Sequence, residues 1–343
     1  MTHHRVLVVD DSAFMRKVIS DAIELLADFT VCGRARNGRE AIIQARLLKP
    51  DIITLDVEMP IMTGLEALPE LLKTAPVNVI MVSSLTSSGT EETMKALSAG
   101  AVDFIAKPDN GISSVDRLSE ELACKLRAAA EAQYRPVSLS APVKRVPNVQ
   151  SSGTSERAVV IGTSTGGPKA LQMVLPLLPK DLPCPVFIVQ HMPAGFTASL
   201  SKRLNNLSAI TVKEAESGEI AKNGVAYIAP GGYHLTMIRK GTNVSLQLDQ
   251  EKPVHGHRPA VDVLFTSAAK AQFEHVTAVI LTGMGKDGAE GLKQIASHSP
   301  YTCLSESEAS CIVYGMPRAA ESTGLVTAVH HLHEMAAEIV RRC

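Results

Sequence analysis

Short runs of aliphatic, β-branched residues recur along the chain, and each is followed by a stretch with the apolar repeat of a helix. Val6-Leu7-Val8-Val9 is the first, uninterrupted by polar residues as a strand covered on both faces should be. It stops at Asp10-Asp11. Ser12 then stands where a helix N-cap belongs, and apolar residues return at helical spacing over 14–26. Further strands are predicted at 30–35, 51–55, 77–82 and 102–105, with helices over 39–48, 64–73, 90–98 and 114–130. Five such units leave little choice of architecture. Crossover helices must cover both faces of a parallel, doubly wound α/β sheet, and the polar strand ends must gather along one edge.

From about 133 to 156 the periodicity disappears. Residues 135–147 are rich in Pro, Ser and Val, and Ser151-Ser152-Gly153-Thr154-Ser155 follows. This composition reads as an extended linker. The expected domains are therefore 1–131, a flexible linker over 132–156, and 157–343. In the second domain a new α/β alternation begins, with strands predicted at 158–161, 186–190, 225–229 and 276–281. Helices are predicted over 168–177, 196–205, 260–272 and 288–296. Residues 231–248 look like a hairpin inserted in a mostly parallel sheet.

Composition narrows the function classes. The net charge is -1 over 343 residues, which weighs against nucleic acid as the main partner. No helix-turn-helix module is legible. The six cysteines are scattered without a Cys-x-x-Cys pair, so reduced thiols and a cytoplasmic location are expected. Met1-Thr2-His3-His4-Arg5 lacks the pattern of a secretory leader, and no apolar run approaches a membrane span.

In the first domain, strand ends carry Asp10-Asp11, Asp56 before Val57-Glu58-Met59-Pro60, Ser83-Ser84, and Lys107-Pro108. Three carboxylates brought to one edge repel and raise one another's pKa unless a cation sits among them, and an oxygen-seeking ion such as Mg²⁺ suits the set. A carboxylate beside such an ion, with a lysine and a hydroxyl at hand, is equipped to accept a phosphoryl group. These residues resemble a two-component receiver domain, which implies a flavodoxin-like (βα)5 fold. The resemblance makes Asp56 the phosphoacceptor and Ser83 and Lys107 the phosphoryl switch. It assigns Mg²⁺ to Asp10, Asp11, Asp56 and the Glu58 backbone. It also allows a cis bond before Pro108.

In the second domain, the strand at 158–161 ends in Gly162-Thr163-Ser164-Thr165-Gly166-Gly167-Pro168, a Gly-x-Ser-x-Gly turn into a helix. Such a turn can present a nucleophile, cradle a phosphate or simply reverse the chain. Other strand ends supply His191, within Gln190-His191-Met192-Pro193, and Asp287, within Gly283-Met284-Gly285-Lys286-Asp287-Gly288. A hydroxyl, an imidazole and a carboxylate at one edge provide a nucleophile, its base and an orienting acid. Their order along the chain is not that of the α/β-hydrolases, so that fold is not expected. His255-x-His257 could suggest metal, but no Cys or Glu pattern supports it. A nucleotide-binding output lacks a P-loop lysine–serine pair.

Together with His257-Arg258-Pro259-Ala260-Val261-Asp262 and Tyr314-Gly315-Met316-Pro317, these stretches resemble the chemotaxis response-regulator protein-glutamate methylesterase family over almost the whole chain. Thr163 stands where alanine is more usual. The resemblance implies a phosphorylation-activated hydrolase working through Ser164, His191 and Asp287. The oxyanion would be held at Met284 and Thr165, with no cofactor for the ester step. Implied substrates are glutamyl methyl esters, and selected glutamines, of methyl-accepting chemotaxis receptors. The implied phosphodonor is a chemotaxis histidine kinase, and a monomer is expected. The receiver is expected to cover the catalytic strand ends until it is phosphorylated.

Overall fold

The computed structural model describes residues 3–74, 76–107, 112–132 and 156–343. The linker expectation for 133–155 and the bond before Pro108 lie outside the described residues. The chain divides into two compact units, Met1–Val137 and Ser138–Cys343.

The N-terminal unit runs β1 (His4–Val9), α1 (Ala13–Glu24), β2 (Phe29–Ala35), α2 (Gly38–Leu48), β3 (Ile52–Asp56), α3 (Gly64–Thr74), β4 (Asn78–Ser83), α4 (Ser87–Ala99), β5 (Asp103–Ala106) and α5 (Ile112–Glu131). All pairings are parallel, in the order β2-β1-β3-β4-β5, the flavodoxin-like arrangement. Helix starts are set locally. Ser12, Asn37 and Thr86 each accept a backbone N–H from the first turn of α1, α2 and α4. Val6 to Val9 are fully buried, as the unbroken apolar run requires.

The C-terminal unit runs β6 (Arg157–Thr163), α6 (Gly167–Val174), β7 (Val186–Gln190), α7 (Phe196–Leu207), β8 (Thr211–Glu214), β9 (Val225–Ile228), β10 (His234–Lys240) and β11 (Asn243–Asp249). It continues with α8 (Val261–Lys270), β12 (His275–Ile280), α9 (Ala289–His298), β13 (Tyr301–Glu306), α10 (Met316–Glu321), β14 (Ala328–His330) and α11 (Leu332–Val340). Seven strands form one parallel sheet in the order β14-β13-β12-β6-β7-β9-β8. From β6 the chain builds outward through β7 to β9 on one side, and later through β12 to β14 on the other. The end of β6 is thus a topological switch point, where α/β sheets open a crevice.

Three sequence expectations change. The hairpin β10–β11 is a separate two-stranded sheet, not an insertion in the large one. It lies across α8, with Leu235, Met237, Val244 and Leu246 in the same core as Phe187, Tyr227 and Phe265. β8, β13 and β14 add strands that weak local patterns hide, since β8 carries Lys213 and Glu214 and β14 has three residues. Cys184 and Cys343 form a disulfide, with Cα atoms 6.0 Å apart and a sequence separation of 159. Spacing could not reveal that pair. Cys32, Cys124, Cys303 and Cys311 are free.

Candidate active site and phosphoacceptor pocket

In the N-terminal unit, β1 and β3 are neighbours, so Asp10 and Asp56 emerge side by side. One oxygen from each of Asp10, Asp11 and Asp56 lies within 4.8 Å of the others. Lys107, just beyond β5, reaches across to donate to Asp56 Oδ2 at 2.7 Å. Its ammonium is also 3.0 Å from Asp10 Oδ2, near enough for an ion pair but not aligned as a hydrogen bond. That buried oxygen is left without a hydrogen-bond partner, and a cluster of oxygen donors with one such atom fits a hard cation. The Glu58 N–H points to Asp56 Oδ1 at 3.4 Å. Ser83 is buried at the end of β4, and its hydroxyl donates to the Gly89 carbonyl at 3.0 Å.

Burial, then the charge of Asp10, pushes the Asp56 carboxyl up to about 6, against the pull of Lys107. Its ordinary value is 3.8, so the folded unit holds an extra proton between about 4 and 6. The sign follows from linkage: stability falls as pH rises through that window and stays lower above it. Asp56→Asn is expected to stabilise the unit at pH 7 by about 1–2 kcal/mol. It should also flatten the slope of stability between pH 4 and 6. Urea unfolding across that range tests this, and a variant less stable than the parent at pH 7 would contradict it.

In the C-terminal unit, Thr163 of β6 pairs with Gln190 of β7, and Gly162 pairs with Ile280 of β12. Ser164, His191 and the loop to Asp287 therefore leave three adjacent strands at the same edge. The turn at Ser164 is held from several sides. Its N–H donates to Thr282 O at 3.1 Å, and its carbonyl accepts Gly167 N–H at 2.8 Å and Gln190 Nε2 at 2.9 Å. Gly166 takes φ +79, which a side chain would resist. Thr163, the departure noted in the sequence, spends its hydroxyl on Thr282 O at 3.0 Å. A Cβ on Gly283 would lie 2.8 Å from Ser164 Cβ, so glycine is needed for the two loops to touch. Met284 follows Gly283 directly, and Thr165 follows Ser164.

His191 Nε2 and Asp287 Oδ2 are 2.8 Å apart and both side chains are buried. His191 Nδ1 is buried and has no partner among the described residues. Asp287 also accepts the N–H groups of Val261 at 2.7 Å and Asp262 at 2.8 Å, the first turn of α8. Burial raises the Asp287 carboxyl, but the hydrogen bond and charge of His191 and these two N–H donors outweigh it and hold it below the ordinary range.

Three supporting residues escaped the sequence reading of roles. Asp262 Oδ1 accepts Gly288 N–H at 2.9 Å and Gly291 N–H at 2.6 Å, while His255 lies 3.1 Å from Oδ2. The His255–Asp262–Asp287 cluster thus has its carboxylate oxygens already engaged. The His257 ring stacks on His191, with centroids 3.9 Å apart and planes 10° from parallel. Glu306, fully buried at the end of β13, accepts Thr282 N–H at 2.8 Å and braces the loop that touches Ser164. Burial pushes its carboxyl up to about 7, against that N–H. The rule that polar residues at strand ends carry function would have found Glu306 had β13 been recognised.

Residues 159–339 match the CheB methylesterase family and residues 6–118 the response regulator receiver domain. A protein-glutamate methylesterase/protein-glutamine glutaminase of Halalkalibacterium halodurans is 52% identical over 340 residues, spanning 99% of this chain and 98% of its own. Its counterpart in Bacillus subtilis is 47% identical over 346 residues, spanning 98% and 97%. The crystal structure of the Thermotoga maritima CheB methylesterase catalytic domain superposes with a TM-score of 0.53 at 42% identity, covering 55% of this chain and 98% of that one. With its receiver domain followed by the catalytic domain, this chain belongs to the CheB methylesterase family.

Proposed function

We propose that the protein is a phosphorylation-activated protein-glutamate methylesterase and protein-glutamine glutaminase of methyl-accepting chemotaxis receptors, with Ser164, His191 and Asp287 as its catalytic residues. One observation carries this reading. His191 Nε2 is committed to a buried carboxylate, while Nδ1 is buried, unpartnered and next to the strand end that bears Ser164.

Ser164 Oγ gives its proton to His191 Nδ1 and attacks the γ-carbonyl of the methyl ester. Asp287 keeps the ring oriented and stabilises its charged form. The oxyanion is met by the backbone N–H groups of Met284 and Thr165. The tetrahedral adduct collapses, the C–O bond to the methoxy group breaks, and His191 returns its proton to the leaving methanol. Water, deprotonated by His191, then hydrolyses the acyl-enzyme and frees the glutamate. With a glutamine side chain the same steps expel ammonia.

In the receiver, Asp56 takes the phosphoryl group from a histidine kinase. Asp10, Asp11, Asp56 and the Glu58 carbonyl are the residues that would hold Mg²⁺, which when bound balances charge on phosphoryl oxygens. Lys107 pairs with the same oxygens. Ser83, now bonded to Gly89 O, turns toward the phosphoryl group and releases the start of α4. Methanol release from methylated receptor membranes, with and without a small phosphodonor, tests both halves. Phosphodonor should raise the rate of the parent and leave Asp56→Asn at its basal rate. An equal response in the variant would remove Asp56 from the account.

A further inference from the structure

One face of α8, with Asp262, Thr266 and Lys270, lines a groove of about 720 Å³ whose other walls are β10 and the start of α9. From Asp262 to Lys270 the helix advances about 12 Å. The inner end borders the catalytic edge. His255 and Asp262 form it, the Asp262 N–H is bonded to Asp287, and Lys286 immediately precedes Asp287. The outer end carries Lys270 and Lys293.

The charges are not evenly matched. Lys293 is paired with Glu290 at 2.8 Å. Lys270 and Lys286 are exposed, and neither ammonium group has an ion pair or hydrogen bond among the described residues. Between them the floor is apolar, made by Met237, Val254 and Val263. A nucleotide or free phosphate is a poor occupant. Among the described residues no Phe, Tyr or Trp lines the groove, the His255 ring is turned to Asp262, and the Gly288 and Gly291 N–H groups at the start of α9 are already taken by Asp262. An acidic polypeptide segment, apolar side chains down and carboxylates toward the two ammonium groups, matches both the floor and the rim.

We propose that this groove seats an acidic segment of the protein that bears the esterified glutamate. Lys286 meets a carboxylate beside the ester, and Lys270 meets one further along the chain. This inference rests on the methylesterase reading above. It makes the groove a docking subsite that recognises the sequence around the reacting residue, separate from the chemistry at Ser164.

The test uses full-length protein and two substrates. Methylated receptor membranes occupy the groove, whereas a small uncharged ester does not reach it and reports the chemistry alone. Lys270→Glu is expected to raise KM for the membranes about fivefold, with kcat nearly unchanged and small-ester hydrolysis unaffected. Lys270→Ala should give a smaller shift in the same direction. Raising salt should increase KM of the parent and leave that of Lys270→Glu nearly flat. An unchanged KM for the membranes overturns the proposal, and so does a parallel fall in small-ester hydrolysis. Failure of the underlying reading shows differently, since Ser164→Ala would then keep cleaving both substrates.

Discussion

Ser164→Ala is expected to reduce methanol release from methylated receptors by at least about a thousandfold, leaving KM and the fold almost unchanged. Its hydroxyl makes no hydrogen bond among the described residues, whereas its backbone N–H and carbonyl hold the turn. Removing Oγ therefore deletes the proposed nucleophile without disturbing Thr282, Gln190 or Gly167. The cost in unfolding free energy should stay within about 0.5 kcal/mol. Activity within tenfold of the parent, in a protein that unfolds at the same urea concentration, would remove Ser164 from the mechanism.

Asp287→Asn should lower kcat by roughly a thousand- to ten-thousandfold. The carboxylate accepts from Val261 N–H and Asp262 N–H and holds His191 Nε2. An amide has one accepting oxygen, so its NH₂ must replace either Oδ1, where it faces the Asp262 N–H, or Oδ2, where it faces both the Val261 N–H and the imidazole. Facing the imidazole, it would require Nε2 to accept, which moves the ring proton to Nδ1, the atom proposed to take the serine proton. Facing the backbone, it leaves a buried donor unpaired at about 1–3 kcal/mol. Because the native carboxyl lies below its ordinary value, its stabilising contribution is present through neutral pH. That contribution is lost only as pH falls through the folded-state value. Asp287→Asn should therefore lose stability at pH 7, with a smaller loss in acid. A variant with parental kcat across pH 6–8 would show that the carboxylate does not set the ring.

Much of the fold was legible because its signals are local. Val6 to Val9, the cap at Ser12 and the helix over Gly38–Leu48 each depend on residues within a turn or two. The three residues proposed as catalytic could be grouped for a related reason. Parallel strands must expose their C-terminal ends along one edge, so Ser164, His191 and Asp287 could be placed on that edge before their distances were known.

The sequence by itself determined two α/β units, the strand ends where chemistry collects, and the residue types able to perform it. Only the tertiary structure decided that β6 lies between β7 and β12, that His257 covers the face of His191, and that Asp262 and Glu306 brace the loops around the site. It also separated the hairpin from the main sheet and joined Cys184 to Cys343. The physical reason is range. Periodicity and capping are satisfied by neighbours in the chain, whereas strand order, ring stacking and buried hydrogen bonds are settled by groups many tens of residues apart, whose meeting depends on how the whole core packs.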